Sequence, residues 1–226
     1  MPIVKMGIRK MNIGIIALGS HEENHGAALP PDTDAQIAEY IAEKTAAQTD
    51  MEFLGVLKSA YEFPEINTGN HDSLDQVIAD LKNQLRKAEK QGFEGILLVN
   101  AHGGNQELSD HLGDIARETD LVIKMDSTVC KIEGPHAGTG ELSIGSVLGI
   151  TDETKVTDHL NSEKYPEVGF VGFDKAREKY EWAEEHANEI IENGVKIDPQ
   201  LGEKLLKISI ENSVEKIRDL KSEIQL

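Results

Sequence analysis

Short apolar runs alternate along the chain with longer segments in which apolar residues recur at helical spacing. Continuous apolar runs of this length are typical of strands that are buried on both faces of a sheet. These runs cover residues 13–18, 52–57, 95–100 and 121–126. The helical periodicity covers residues 34–49, 73–91, 106–119, 141–148, 175–193 and the chain from 199 onward. The alternation of the two patterns predicts an α/β protein.

Length and composition limit what this α/β protein does. The length of 226 residues fits one domain, which we assign to residues 1–226. The net charge of −18, from 41 acidic and 23 basic residues, argues against nucleic acid and anionic membranes as partners. Cys130 is the only cysteine, so we expect no disulfide framework and a reducing compartment, the cytoplasm. The chain shows no signal-peptide pattern and no apolar run near ~18 residues, so we expect no membrane span.

A first group of candidate residues follows the apolar run 13–18 and leads into the helical segment from residue 34. Glu23 and His25 are two positions apart, so on an extended backbone both side chains point to one face. Asp34 stands where the helix begins, and an aspartate there often caps the helix. A carboxylate, an imidazole and a second carboxylate are also the ligand set of a borderline divalent metal. The residues alone leave both interpretations open.

A second group follows the apolar run 95–100. His102 is predicted at the carboxyl end of this strand, at the same sheet edge as the first group, which favours a metal ligand over an incidental histidine in a tight turn. Gly103, Gly104 and Asn105 come next and open a helix. Free amides at a helix start bind anions or polarise a carbonyl. We therefore predict that these three residues contact the substrate.

A third group combines a histidine, glycines and a carboxylate. His136 is predicted to move a proton or to stabilise a tetrahedral intermediate. Glu141 begins a short apolar helix, where a carboxylate gains from the helix dipole or completes a metal site. The loop 58–72 follows the second predicted strand, and its His71 is predicted to contact the substrate or a ligand. His159 and His186 lie outside the motifs and are predicted to be solvated.

These residues form one set of oxygen and nitrogen donors. The set is too large for one tetrahedral metal and fits two metals that share a carboxylate. Two neighbouring divalent ions activate water and stabilise a developing oxyanion, which points to hydrolysis. The candidate ligands are Glu23, His25, Asp34, His102 and Glu141, with His136 beside them.

The order and spacing of the three groups resemble the creatininase family. The matching motifs are Glu-x-His followed nine residues later by Asp, then Asn-x-His-Gly-Gly-Asn at 100–105 and His-Ala-Gly-x-x-Glu at 136–141. The resemblance implies a three-layer α/β/α fold with a mostly parallel sheet between helices. It also implies a homo-oligomer with two divalent metals that hydrolyses carbon–nitrogen bonds of amides.

The resemblance further implies individual roles for the site residues. Glu23 and His102 bind one metal, His25 binds the other, and Asp34 bridges the two. Glu141 lies at or near the second ion, and His136 is the catalytic histidine. Two departures concern creatinine hydrolases: these enzymes have a glutamate where this chain has Gly104, and tryptophans around creatinine, whereas the only tryptophan here is Trp182. Creatinine is therefore not the expected substrate.

The residues within the motifs are most similar to those of an archaeal deformylase branch of this family. The similar segments are Glu-Asn-His-Gly-Ala-Ala-Leu-Pro at 23–30 and Thr-Gly-Glu-Leu-Ser at 139–143. This similarity implies formate removal from a phosphorylated formylamino-ribosylaminopyrimidine in riboflavin and deazaflavin coenzyme biosynthesis. It favours Fe²⁺, with Zn²⁺ and Mn²⁺ as alternatives. Two other hypotheses stay open at this point: an amidohydrolase of another cyclic amide or peptide, and a non-catalytic metal-binding assembly protein.

Overall fold

The computed structural model describes residues 11–225, which contain one four-stranded parallel sheet with the strand order β2-β1-β3-β4. Its strands are β1 (Ile13–Leu18), β2 (Glu52–Leu57), β3 (Gly95–Asn100) and β4 (Val122–Asp126). All four apolar runs therefore form strands, and only β4 begins one residue later than predicted. The predicted domain covers residues 1–226, so its first ten residues and its last residue lie outside the described range, and the single-domain assignment stays a prediction.

The register of the sheet brings the ends of three strands together. Leu18, the last residue of β1, lies opposite Leu57 of β2 and opposite Asn100 of β3. Because all the strands are parallel, the loops that follow them leave the sheet at the same edge. Candidate residues that are far apart in sequence therefore meet above the carboxyl ends of the strands, where open α/β sheets place their sites.

Helices cover both faces of the sheet and connect its strands. They are α1 (Thr33–Thr49), α2 (Leu74–Lys90), α3 (Leu112–Arg117), α4 (Thr128–Ile132), α5 (Thr139–Leu148), α6 (Val156–His159), α7 (Asp174–Lys179), α8 (Glu181–Asn193) and α9 (Pro199–Ile224). Among residues 11–225, no helix is both long and apolar enough to span a membrane.

Alternate residues of the central strands pack against different helix layers. Ile15 of β1 and Leu97 of β3 belong to the apolar core under α1 and α9. Ile16 and Leu98, one position further along, belong to the core under α2 and α3. The two central strands thus bury both of their faces, which explains why their sequences are almost entirely apolar. The predicted three-layer α/β/α architecture is confirmed.

The first turn of α1 decides between the two interpretations of Asp34. The helix begins at Thr33 with Asp32 at its N-cap position, so Asp34 is a residue of the first turn. Asp32 accepts a hydrogen bond from the side chain of Gln36. The carboxylate of Asp34 is 4% exposed and faces the ends of the strands. It is therefore available to a site and is not the helix cap.

Two predicted helices differ from the observed structure. The segment predicted as a helix at 106–119 begins as a 3₁₀-helix, Gly104–His111, and only then continues as α3. The segment 175–193 divides into α7 and α8 at Tyr180, whose backbone is extended (φ −120°, ψ 115°). Tyr180 packs with Phe63 and Trp182. Aromatic packing thus outweighs the helical preference of the local sequence.

Because the central strands are buried on both faces, a cavity at their centre should lower the stability of the protein strongly. Replacing Leu98, which is fully buried, with Ala should lower the free energy of unfolding by about 2–5 kcal/mol. The matched control is Ile191→Ala on α8, because Ile191 is 58% exposed and its truncation should cost less than about 0.5 kcal/mol. Urea unfolding measures both variants, and equal stabilities would contradict the assignment of Leu98 to the core.

Candidate metal centre

The carboxylate of Asp34 lies between two histidines that come from different strand ends. Its Oδ1 is 3.0 Å from Nε2 of His25, in the loop after β1. Its Oδ2 is 2.8 Å from Nδ1 of His102, directly after β3. One carboxylate oxygen thus faces each imidazole, and the structure brings together the histidines that the first two motifs contributed.

In each histidine, one ring nitrogen faces Asp34 and is called the inner nitrogen. The other, outer nitrogen forms a hydrogen bond with a backbone carbonyl. Nδ1 of His25 donates to Glu23 O at 3.1 Å, and Nε2 of His102 donates to Tyr61 O at 2.8 Å. A carbonyl only accepts, so these nitrogens carry the ring hydrogens. The inner nitrogen of each ring faces the oxygens of Asp34, and it would offer a lone pair to a metal once the proton that it holds in the metal-free protein is displaced. Metal-binding histidines are oriented in this way by their outer nitrogens.

Two further carboxylates close the group. Oε2 of Glu23 is 2.9 Å from Nδ1 of His102, and Oε2 of Glu141 is 3.5 Å from Nε2 of His25. Glu23 is 1% exposed and Glu141 is 3% exposed. Oε2 of Glu141 receives no hydrogen bond from residues 11–225. A buried carboxylate oxygen without a partner is costly, and a cation between these atoms would remove that cost.

The pKa shifts reflect this excess of negative charge. Burial raises the pKa of Glu141 to about 8, and the neighbouring Asp34 and Glu23 carboxylates add to the shift against the effect of His25. Burial alone would lower the pKa of His25, but Asp34 and Glu141 outweigh it and raise this pKa to about 10. Protons on Glu141 and His25 thus balance part of the negative charge of the carboxylates in the metal-free protein. A divalent cation would displace these protons.

The donor set fits divalent metals. Three groups of side chains each offer ligand atoms that lie within 4.8 Å of one another. These groups are Glu23, His25 and His136; His25, Asp34 and Glu141; and Glu23, Glu62, His71 and His102. Imidazole nitrogens and carboxylate oxygens suit borderline ions such as Fe²⁺, Zn²⁺ and Mn²⁺.

His136 stands beside this group in a fixed orientation. Its Nε2 donates to Asn24 O at 2.9 Å, and its Nδ1 is 3.9 Å from Oε1 of Glu141. Its ring stacks on Phe170, with ring centres 5.2 Å apart. Burial, and then the neighbouring His25, lower the pKa of His136 to about 4. The imidazole is therefore neutral near pH 7 and keeps Nδ1 free to accept a proton.

Glu23, His25, Asp34, His102 and Glu141 are called the metal-binding group below. All of these residues except His25 line a cavity of about 390 Å³. Gly103 and Gly104 also line it. One wall is aromatic and consists of Phe63, Phe170 and Trp182. The volume suits a small molecule, and flat aromatic side chains suit a planar ring.

The other two residues predicted to contact the substrate are Asn105 and His71. Oδ1 of Asn105 is buried and accepts a hydrogen bond from Tyr61 N–H at 3.0 Å. His71 stacks on His102, with ring centres 5.2 Å apart, and its Nε2 is 3.8 Å from Oε2 of Glu23. His71 therefore contacts His102 and Glu23 directly. Asn105 acts through Tyr61, whose carbonyl holds His102.

Several residues of the cavity were not predicted from the sequence. Glu62 and Glu133 line it, and Trp182 and His186 reach it from α8. The length of the loop after β2 was a signal for Glu62, whereas no motif marks Glu133 or α8. The prediction that His186 is solvated is wrong, because its ring is partly buried against Phe170.

The prediction that His159 is solvated is also wrong. The residue is fully buried, and its Nε2 donates to Ala137 O at 2.7 Å. Its Nδ1 accepts from Ala28 N–H at 3.2 Å. Nearby, Oε1 of Glu167 accepts from Gly26 N–H at 3.0 Å. The segment around α6 thus connects the backbone of the first motif to that of the third.

Comparison with known proteins shows the family of this chain. The sequence profile of the family described as creatinine amidohydrolase (creatininase) matches residues 1–217. The chain belongs to the creatininase family. Two solved members of similar fold are a creatininase mutant of Zn–Zn type, with a TM-score of 0.65 at 12% identity, and a creatininase titled with Mn, with 0.61 at 14%. Each alignment covers 92% of this chain and 90% of the other.

Relatives with higher identity come from two species of Methanobrevibacter. They are named 2-amino-5-formylamino-6-ribosylaminopyrimidin-4(3H)-one 5'-monophosphate deformylase. The protein of Methanobrevibacter ruminantium is 46% identical over 203 residues, which are 89% of this chain and 86% of that protein. The protein of Methanobrevibacter smithii is 44% identical over 213 residues, which are 94% and 93% of the two chains.

The position of His159 predicts that it stabilises the site through the backbone. His159→Ala leaves Ala28 N–H and Ala137 O without partners, so the free energy of unfolding of metal-stripped protein should fall by at least about 2 kcal/mol. His159→Gln keeps one acceptor and one donor on the side chain and should lose less. Urea unfolding compares the two variants, and a wild-type stability of the alanine variant would contradict this role.

Proposed function

We propose that this chain is a metal-dependent deformylase of 2-amino-5-formylamino-6-ribosylaminopyrimidin-4(3H)-one 5'-phosphate, acting in riboflavin and deazaflavin coenzyme biosynthesis. The observation that carries the proposal is the similarity to relatives named for this activity, which are 40% to 46% identical over most of both chains. The buried carboxylate and imidazole group at the base of a cavity supports hydrolysis as the reaction class.

In this proposal two divalent ions bind at the ends of the strands. Glu23 and His102 would hold one ion, His25 and Glu141 would hold the other, and Asp34, which lies between the two histidines, would be shared by both. Fe²⁺ is the proposed ion, and Zn²⁺ and Mn²⁺ accept the same donors. When bound, such ions supply Lewis acidity, which polarises a carbonyl group and acidifies water.

His136 is the proposed catalytic residue for proton transfer. Water adds to the formyl carbon, the carbon–nitrogen bond breaks, and formate and the free aminopyrimidine leave. Because Asn24 O holds the Nε2 hydrogen, Nδ1 of His136 accepts the proton of the water and returns it to the departing amine nitrogen. Stacking on Phe170 keeps the ring in this orientation.

The cavity supports a planar, polar substrate. The pyrimidine ring would stack against the aromatic wall of Phe63 and Trp182, with its formamide over the metal-binding group. We propose that Gly103 and Gly104 contact the substrate through their backbone, while Asn105 and His71 act through the residues that they hold.

Two further properties belong to the proposal. We propose a homo-oligomer, as the family resemblance implies. We also propose a cytoplasmic location, because Cys130 is the only cysteine of the chain and is a free thiol.

The direct test is formate release from the formylaminopyrimidine nucleotide by anaerobic protein supplied with Fe²⁺. We expect formate in equal amount to the aminopyrimidine product, and none when a chelator is present, because the reaction depends on the metal. Zn²⁺ and Mn²⁺ are assayed in parallel. A metal-loaded protein that releases no formate would refute the proposed reaction, and creatininase-type cyclic amides would then be assayed.

Two variants separate metal binding from proton transfer. Asp34→Ala should lose bound metal and turnover together, because it removes the carboxylate between both histidines. His136→Asn should keep its metal and lower kcat by about 10²–10⁴-fold. Asp32→Asn, in the same turn of α1, is the control and should match the wild type. Metal analysis and formate assays measure these effects, and full activity of Asp34→Ala would exclude the proposed site.

A further inference from the structure

Glu62 lies beside the metal-binding group although no motif of the sequence includes it. Its side chain is 8% exposed, and its Oε2 is 4.0 Å from Nε2 of His102. Glu23, Glu62, His71 and His102 offer ligand atoms that all lie within 4.8 Å of one another. Four donors at this separation are close enough to surround one small cation.

The backbone next to Glu62 is held by the same motif that supplies His102. Tyr61 N–H donates to Asn105 at 3.0 Å, and Tyr61 O accepts from His102 at 2.8 Å. A Cβ atom at Gly104 would collide with Tyr61 O and press on the Cα atom of Glu62, so the loop needs a glycine there to approach this closely. The position of Glu62 is therefore tied to that of His102.

The hydrogen bonds of Glu62 leave one oxygen free. Its Oε1 accepts from Phe63 N–H at 2.7 Å, so Oε2 is the atom on the side of His102. Oε2 of Glu23 lies 2.9 Å from Nδ1 of His102 and 3.8 Å from Nε2 of His71. Each glutamate thus brings a carboxylate oxygen to the ring of His102.

Two buried carboxylates in one region repel each other. Burial raises the pKa of Glu62 to about 7, and the Glu23 carboxylate adds to the shift, against the opposing effect of His102. A divalent cation between the two glutamates would replace this repulsion with attraction in a region of low dielectric constant.

We propose that Glu62 is a further protein ligand of the divalent ion held by Glu23 and His102. The proposal rests on the proposed function, which assumes an ion at this position. It adds a carboxylate from the loop after β2 to the donors supplied by the three motifs. A carboxylate that contacted only the substrate would change KM and leave the affinity for the ion unaltered.

The test is a titration of metal-stripped protein with Mn²⁺, in which electron paramagnetic resonance counts the free ion. Glu62→Gln keeps an acceptor for Phe63 N–H and removes the negative charge. We expect one of the two ions to bind at least about 10-fold more weakly. Even the loss of a residue that only orients a metal ligand weakens metal binding by about 10–100-fold. Glu65→Gln, an exposed residue of the same loop, is the matched control and should bind both ions as the wild type does.

The outcomes separate the two proposals. Wild-type affinity of Glu62→Gln for both ions would overturn the role of Glu62, and a raised KM in that variant would make it a substrate contact. A wild-type protein that binds neither Mn²⁺ nor Zn²⁺ would overturn the proposed function as well. If Glu62→Gln fails to fold, a crystal structure of Zn²⁺-loaded wild type decides, because a ligand oxygen lies about 2.0–2.2 Å from zinc. A Glu62 oxygen beyond that distance would refute the proposal.

Discussion

The placement of the Asp34 carboxylate between His25 and His102 is the constraint on which the site depends. Its two oxygens are 3.0 Å and 2.8 Å from the inner nitrogens of these rings, and each outer nitrogen donates to a backbone carbonyl. The rings therefore cannot turn away without breaking a buried hydrogen bond, which is costly. Imidazole nitrogens and carboxylate oxygens converge on one buried region, and positive charge, from protons or a metal ion, is needed there for the site to be stable.

The supporting structure keeps the metal-binding loops at fixed distances. The loop after β2 joins the first motif through Thr68, whose hydroxyl donates to Glu23 at 2.9 Å. It joins the second motif through Tyr61, which packs on Gly104. His159 connects the first motif to the third. The contacts at Tyr61 and His159 use backbone groups, which hold a fixed position better than long side chains do, and a metal site needs such precision.

The sequence allowed much of the candidate site to be predicted, because three motifs carry residue types that ordinary packing does not require. Asp34 was ambiguous, and only the observed start of α1 at Thr33 shows that its carboxylate is not the helix cap. Glu62 and Trp182 could not be assigned, since neither stands next to another candidate residue in the sequence. His159 was misjudged because burial of a histidine depends on partners that are distant in the chain.

The sequence by itself determined the α/β class and the strands, because apolar runs that must bury both faces have few other structures available. It also determined the chemical identity of the donors in the three motifs. Only the tertiary structure decided which donors meet, where α7 and α8 divide, and which side chains form the cavity. The physical reason is that strand patterns are local, whereas the parallel register that aligns Leu18 with Leu57 and Asn100 arises from contacts between distant segments.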